Sequence, residues 1–117
     1  MPRSLTLYLH DILRAADAIL EFTSGMDRPA YDQSRLIQSA VERQFSIIGE
    51  ALVQMRHHHP AAVQAIEDSG QIIGFRNVLV HNYATVDQDD VWSAVQSKLP
   101  ALREQILSTI ATLTPTP

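Results

Sequence analysis

The sequence of 117 residues has no cysteine, a single lysine, four glycines and few aromatic side chains. Without cysteine the chain can form neither a disulfide nor a thiolate metal site, which fits a reducing compartment. No uncharged apolar run is long enough for a signal peptide or a membrane span, because charged residues interrupt the first apolar segment, residues 5–22. We therefore expect a cytoplasmic protein without a membrane segment.

The chain also lacks an excess of basic residues. Its formal net charge is −4, so its surface as a whole does not attract the phosphates of nucleic acids. The basic residues are nevertheless eight arginines and one lysine, and the forked guanidinium group of arginine suits phosphate oxygens. The composition therefore disfavours a general nucleic-acid-binding surface but leaves room for a local arginine site.

The length is that of one compact domain, which we expect to span residues 1–117. Apolar residues recur three or four positions apart in residues 5–22 and again in residues 37–55, which predicts two amphipathic helices. Gly49 lies inside the second helix, where glycine costs about 1 kcal/mol relative to alanine. Its presence there suggests that a neighbouring element comes close to this helix.

Breaker residues divide the rest of the chain. Residues 23–31 contain a glycine and a proline among polar residues and are predicted to form a turn. Pro60 can open a short helix that ends near Ser69 and Gly70. Residues 71–83 have the apolar period of a third long helix, although their isoleucine and valine content would also suit a strand.

The last part of the chain predicts one more helix. The polar, acidic residues 85–90 can cap its start and suit the positive end of its dipole. Pro100 is expected to kink or restart this helix, because proline cannot donate an interior hydrogen bond. Together these segments predict an all-α, up-and-down bundle of four or five helices.

Polar side chains interrupt the otherwise apolar residues 74–83, among them Arg76, Asn77, His81 and Tyr83. On an ideal helix Asn77 lies one turn before His81, and Arg76 shares a face with Tyr83. Arg76 and His81 are separated by about 140° around the helix axis. They would converge only through the reach of the arginine, a local distortion of the backbone or a second subunit.

Residues 76–81 match the pattern of the HEPN superfamily, in which an arginine is followed by a polar residue, three variable residues and a histidine. Tyr83 adds the extension that is typical of the HepT family. Further segments resemble helices of this family in the same order: Ala40-Val41-Glu42-Arg43 with Ile47-Ile48-Gly49-Glu50-Ala51, Val91-Trp92, and Leu99-Pro100-Ala101-Leu102. The chain therefore resembles the HepT family over nearly its whole length.

The resemblance implies a toxin that acts as a homodimeric endoribonuclease and uses no metal or other cofactor. When the 2′-hydroxyl of RNA attacks its own phosphate, the reaction needs a base, an acid and a cation. The resemblance assigns proton transfer to His81 and phosphate binding to Arg76, and Asn77 could orient the imidazole of His81. One histidine cannot be base and acid at once, but two Arg76–His81 pairs apposed in a symmetric dimer would supply both.

The resemblance also implies regulation at Tyr83. In HepT-like systems a nucleotidyltransferase antitoxin of the MntA type transfers AMP from ATP to the corresponding tyrosine. An added AMP near His81 would bring negative charge and bulk to the place where a substrate phosphate must dock. The expected partners are therefore RNA, such an antitoxin and a second copy of the chain.

Two other functions stay open. A catalytically silent HEPN subunit could bind a nucleotide or dock beside a nucleotidyltransferase, and the acidic net charge favours this alternative. A helical interaction protein without an active site would instead bury Arg76 and His81 and pair them within one subunit. In that case Arg76 would form an ion pair with Glu42 or Glu50 that merely ties two helices together.

Residues 57–59 are three consecutive histidines, a run that invites a metal-binding interpretation. Consecutive residues on a helix point in different directions, and no carboxylate lies at ligand spacing beside them. We therefore expect a solvated helix end and no metal site.

Overall fold

The computed structural model describes residues 3–82, 84 and 86–113, which form helices joined by short turns. The elements are α1 (Leu5–Phe22), α2 (Arg28–Asp32), α3 (Arg35–His58), α4 (Pro60–Gln64), α5 (Ser69–His81), α6 (Gln88–Ser93), a π-helical turn (Ala94–Lys98) and α7 (Leu99–Leu113). The prediction of an all-α helical bundle is confirmed. None of these described helices is both long and apolar enough to cross a lipid bilayer.

The core is built from one apolar stripe on each long helix. α1 has its predicted bounds, and α3 continues three residues past its predicted end near Met55. α3 packs along α1, while α5 lies against α3 and α7 lies against α1. Burying each large apolar side chain stabilises the fold by about 1.5–3 kcal/mol. Fully buried members of this core include Leu9, Ile12, Ile19, Ile48, Leu52 and Ile106.

The predicted turn at residues 23–31 contains a short helix. Gly25 has a φ of 75°, a left-handed conformation that glycine adopts without strain, and the chain turns there after α1. Asp27 then caps α2 by accepting a hydrogen bond from the N–H of Ala30 at 2.9 Å, and Pro29 lies in the first helical turn. The second half of the turn prediction is wrong, because a proline after a capping residue starts a helix here.

Tyr31 on α2 ties α6 to the rest of the bundle. Its hydroxyl donates a 2.6 Å hydrogen bond to Gln88, whose amide donates a 3.0 Å bond to the carboxylate of Glu42. The ring of Trp92 packs on the ring of Tyr31 with their centroids 4.9 Å apart. Burial, with Glu42 nearby, raises the pKa of Tyr31, so the phenol remains a hydrogen-bond donor at any ordinary pH.

α5 begins earlier than predicted. We expected Ser69 and Gly70 to end the preceding short helix, but they are the first residues of α5. The chain reverses at Asp68, whose φ of 60° lies in the left-handed region that usually favours glycine. The prediction was wrong because it assigned this reversal to the glycine two residues later.

Pro100 is accommodated by a π-helical turn directly before it. Proline has no N–H to donate, so the usual α-helical bonding cannot continue unchanged. The N–H of Leu99 instead bonds the carbonyl of Ala94, five residues earlier, and α7 then follows. On a regular α-helix, residues four apart move gradually around the helix axis, because one turn takes about 3.6 residues. The wider π-helical turn reduces this rotation, and Val91, Val95 and Leu99 all remain buried. The expected interruption is therefore a local change of helix type.

α5 lies directly on the backbone of α3 at Gly49. A Cβ atom built on Gly49 would overlap the Cβ and Cγ atoms of Arg76 on α5. The interior glycine therefore makes room for the side-chain stem of Arg76, and the close approach expected from the sequence is confirmed.

Replacing Gly49 with alanine is expected to lower the free energy of unfolding by about 1–3 kcal/mol, because the added methyl group must displace the stem of Arg76. Urea-induced unfolding followed by circular dichroism measures the change. Gly70→Ala is a matched control, since Gly70 is also helical and a Cβ there would meet nothing within 4 Å. The control should leave stability unchanged or raise it by up to about 1 kcal/mol. Equal losses in both variants would contradict the proposed contact.

Candidate active site

α5 separates its polar side chains between two directions. Arg76 points toward α3 and is half-buried, with its side chain 20% exposed. Asn77 and His81 lie on the exposed side of the helix. The arginine therefore belongs to the packed interior of the site, whereas the histidine faces outward.

Arg76 is held by a network that crosses from α3 to α5. One of its terminal nitrogens, Nη2, donates a 2.5 Å bond to Glu50, and the other, Nη1, donates a 2.9 Å bond to Asn77. The second carboxylate oxygen of Glu50 accepts a 3.2 Å bond from Gln54, one turn further along α3. Charge-assisted bonds of this kind fix the plane of a guanidinium group as well as its position.

The stem of Arg76 leaves its guanidinium little freedom. It lies in the gap over Gly49, and Nε is buried without a hydrogen-bond partner among the described residues. Of the two carboxylates considered from the sequence, Glu50 forms the ion pair, while Glu42 is engaged by Gln88. The ion pair expected of a purely structural arginine is therefore present, although it also aligns the guanidinium.

His81 does not meet Arg76 within one chain. It is the last residue of α5, it is exposed, and no hydrogen bond of its ring to another described residue is present. Asn77, which was expected to orient this ring, bonds Arg76 instead. Of the ways in which Arg76 and His81 could converge, the reach of the arginine is therefore not used, and α5 between them is a regular α-helix.

The exposed side of α5 also carries apolar residues. Val78 is 39% exposed, which is high for a large apolar residue inside a regular helix, while Val80, 41% exposed, lies one turn after Arg76 on the groove side. Val78 lies three residues before His81, so the two share one side of the helix. This outer face of α5, made of Asn77, Val78 and His81, is uncovered in the single chain.

Two other predictions concern Tyr83 and the three histidines at residues 57–59. Tyr83 lies outside the described residues. At the end of α3, His57 and His58 are exposed, and the ring of His59 bonds the carbonyl of Arg3 at 3.1 Å. Among the described residues, no three histidine or carboxylate side chains come together as metal ligands would.

A groove of about 440 Å³ opens beside Arg76. α1, α3 and α5 form its walls, and its lining includes Arg3, Arg43, Glu50, Gln54 and Arg76. A smaller apolar groove of about 240 Å³ lies at the π-helical turn and is lined mainly by Phe45, Ile72, Phe75, Leu99 and Leu102. The polar network of Arg76, Glu50 and Gln54 therefore lines the larger of these two grooves.

The sequence matches the family described as ribonuclease HepT-like over residues 12–109. The chain belongs to this family, and the resemblance to HepT proteins of the HEPN superfamily is confirmed. The helix that carries Arg76 and His81 lies within the matched region.

Several curated relatives are similar over most of their length. One protein of Methanocaldococcus jannaschii, provisionally named an RNase, is 28% identical over 104 residues, which cover 89% of this chain and 94% of that protein. A second protein of the same organism with the same kind of name is 29% identical over 107 residues, 88% of each chain. A provisionally named ribonuclease HepT of Thermococcus cleftensis is 31% identical over 107 residues, 88% of this chain and 93% of its own. No solved structure matches the chain significantly.

Glu50 and Gln54 were not among the predicted site residues, although the sequence already offered Glu50 as an ion-pair partner of Arg76. The signal that could have included them is their spacing: Glu50 directly follows the interior glycine, and Gln54 lies one turn later on the same face of α3. A carboxylate next to a residue that admits a neighbouring helix is well placed to meet an arginine from that helix.

Glu50→Ala is expected to lower the free energy of unfolding by about 1–2 kcal/mol, since it leaves a half-buried guanidinium without its carboxylate. A double-mutant cycle with Arg76→Met, measured by urea unfolding, should give a coupling energy of about 1 kcal/mol between the two residues. Asp17→Ala removes the partner of the more exposed Arg103 and should cost less. A cycle with no coupling would show that the Glu50–Arg76 pair does not contribute to stability.

Proposed function

We propose that the protein is a toxin endoribonuclease that cleaves RNA without a metal ion at a site made of Arg76 and His81. One observation carries the proposal: in a chain of the ribonuclease HepT-like family, α5 holds an anchored guanidinium and, on its outer face, a solvent-exposed imidazole. The first suits a phosphate that must be held in place. The second suits proton transfer to and from a substrate that arrives from solvent.

The chemistry needs only RNA and these side chains. The 2′-oxygen attacks the adjacent phosphorus while its proton passes to a neutral imidazole. The bond from phosphorus to the 5′-oxygen breaks, and that oxygen takes a proton from an imidazolium. The products are a 2′,3′-cyclic phosphate and a 5′-hydroxyl end. Arg76 stabilises the negative charge that grows on the phosphate oxygens.

A homodimer would complete the site. A two-fold axis beside the outer face of α5 would bring His81 of each chain close to its counterpart, so that one imidazole acts as base and the other as acid. Two observations support this arrangement: Val78 on the outer face is apolar and uncovered, and Arg76 and His81 do not converge within one chain.

Regulation at Tyr83 forms the second part of the proposal. Tyr83 follows the end of α5 at His81 by two residues. AMP transferred to its hydroxyl by a nucleotidyltransferase antitoxin would place a phosphodiester charge near His81 and repel the substrate phosphate. The partner is expected to recognise the folded chain, because the modification must not unfold it.

Purified protein in EDTA is expected to cleave transfer RNA or messenger RNA, and His81→Ala should lower the rate by about 100-fold or more. Gel electrophoresis of end-labelled RNA measures cleavage and its products. His58→Ala is the matched control, because it removes another exposed histidine, at the end of α3. Incubation with the cognate nucleotidyltransferase and ATP should also abolish cleavage, and Tyr83→Phe should escape that inhibition. Folded wild-type protein that leaves both RNAs intact would refute the nuclease.

Val78→Asp is expected to weaken dimer formation by roughly 100-fold or more, since it would bury an unpaired charge in an apolar interface. Sedimentation velocity measures the oligomeric state, and RNA cleavage should fall with the dimer. Leu36→Asp is the control: Leu36 is 80% exposed at the start of α3, away from α5. A Val78→Asp protein that remains a dimer would show that the outer face of α5 is not the interface.

A further inference from the structure

The groove beside Arg76 has a neighbour between α1 and α3. Its walls meet a second groove of about 340 Å³, and the two share Asp11 on α1 and Ile47 on α3. The second groove adds Arg14 of α1 to the arginines of the first. The two grooves therefore adjoin between α1 and α3, and together they form what we call the α1–α3 channel, which extends from Arg76 to Arg14.

The α1–α3 channel has a charge opposite to that of the whole protein. Four arginines line it, Arg3, Arg14, Arg43 and Arg76, against two carboxylates, Asp11 and Glu50, which leaves a net charge of +2. The complete chain has a net charge of −4. Positive charge gathered in a channel of an acidic protein focuses anions there and repels them from the rest of the surface.

Two of these arginines are free to bind a ligand. Arg3 is paired with Asp11 at 2.7 Å, and Arg76 is paired with Glu50. The guanidinium groups of Arg14 and Arg43 are exposed and take part in no hydrogen bond or ion pair with another described residue. Each can therefore offer its fork of N–H donors to a phosphate without first breaking an internal contact.

The positions of these arginines suit a chain of phosphates. Along α3, Arg43 precedes Glu50, the partner of Arg76, by seven residues, a distance of about 10 Å at 1.5 Å per residue. Between them the channel is lined by Ser46 and Ile47, both partly exposed. Polar and apolar surface between cations is what a single strand needs, since its backbone and its bases must both find contacts.

We propose that the α1–α3 channel binds the phosphodiester backbone of the single RNA strand that leads away from the scissile phosphate, with Arg43 and Arg14 contacting successive phosphates beyond Arg76. The proposal rests on the proposed ribonuclease function and adds the path that the substrate takes. It also explains how an acidic protein can bind RNA: a short positive channel replaces a basic surface.

Binding is best measured apart from cleavage. The probe is a fluorescein-labelled oligouridylate, and its anisotropy is recorded with the His81→Ala protein over a range of salt concentrations. Each phosphate contact on a single strand contributes about 0.7 to the slope of log K against log salt, which corresponds to about fourfold in affinity near 0.15 M salt. Arg43→Ala and Arg14→Ala should each lose about fourfold, and together they should lower the slope by about 1.4.

Arg56→Ala is the matched control. Arg56 is also an exposed arginine on α3 without an ion pair among the described residues, but it lies on the other side of the helix from Arg43. It removes the same charge and should leave both affinity and salt slope nearly unchanged. Equal losses in Arg43→Ala and Arg56→Ala would overturn the channel, because binding would then follow net charge alone.

The remaining outcomes separate the channel from the nuclease. If the strand binds through Arg43 and Arg14 but wild-type protein cleaves no RNA, the proposed RNA-binding channel is supported and the proposed nuclease activity is refuted. If wild-type protein cleaves RNA and replacing the two arginines has no effect on binding, the proposed RNA-binding channel is refuted while the proposed nuclease activity is supported. Loss of complex formation with the nucleotidyltransferase in Arg43→Ala, with RNA binding intact, would assign the groove to the protein partner and overturn the proposal.

Discussion

The contact between Gly49 on α3 and the side-chain stem of Arg76 on α5 sets the separation of the two helices that carry the proposed site. Any larger residue at position 49 would push α5 outward. That shift would also pull the guanidinium group away from Glu50, since the bond between them spans only 2.5 Å. The absence of a side chain at Gly49 therefore determines both how closely α5 packs on α3 and where the positive charge of Arg76 is held.

Arg76 and His81 lie on one helix but differ in how firmly the single chain holds them. Arg76 is oriented by Glu50 and Asn77 in the absence of a ligand, so in the proposed reaction a phosphate would meet a cation that is already in place. His81 makes no such contact among the described residues, and its environment in the active form would come from a second chain. The carboxylate of Glu50 also keeps the empty site close to neutral, which avoids leaving an unpaired charge half-buried.

The helices could be predicted from the spacing of apolar residues, because burial of one stripe decides where a helix forms, and α1 has its predicted bounds. The errors lie where a local signal has two physical outcomes. Pro29 could end a helix or start one, and the reversal before α5 fell on Asp68 although Gly70 was the better candidate by conformational freedom. The motif residues of α5 could be found by their polarity, but the choice between Glu42 and Glu50 depends on how far α5 slides along α3, which no local pattern encodes.

The exposure of His81 has a consequence for how such a chain can change over generations. Because its ring supports no packing among the described residues, position 81 is free to vary without loss of the fold. Positions 49, 50 and 76 are coupled, and a change at one strains the others. A lineage that no longer needs the reaction would therefore lose the histidine first and keep the glycine, glutamate and arginine as a structural remnant. A folded binding subunit is thus one substitution away from the proposed enzyme.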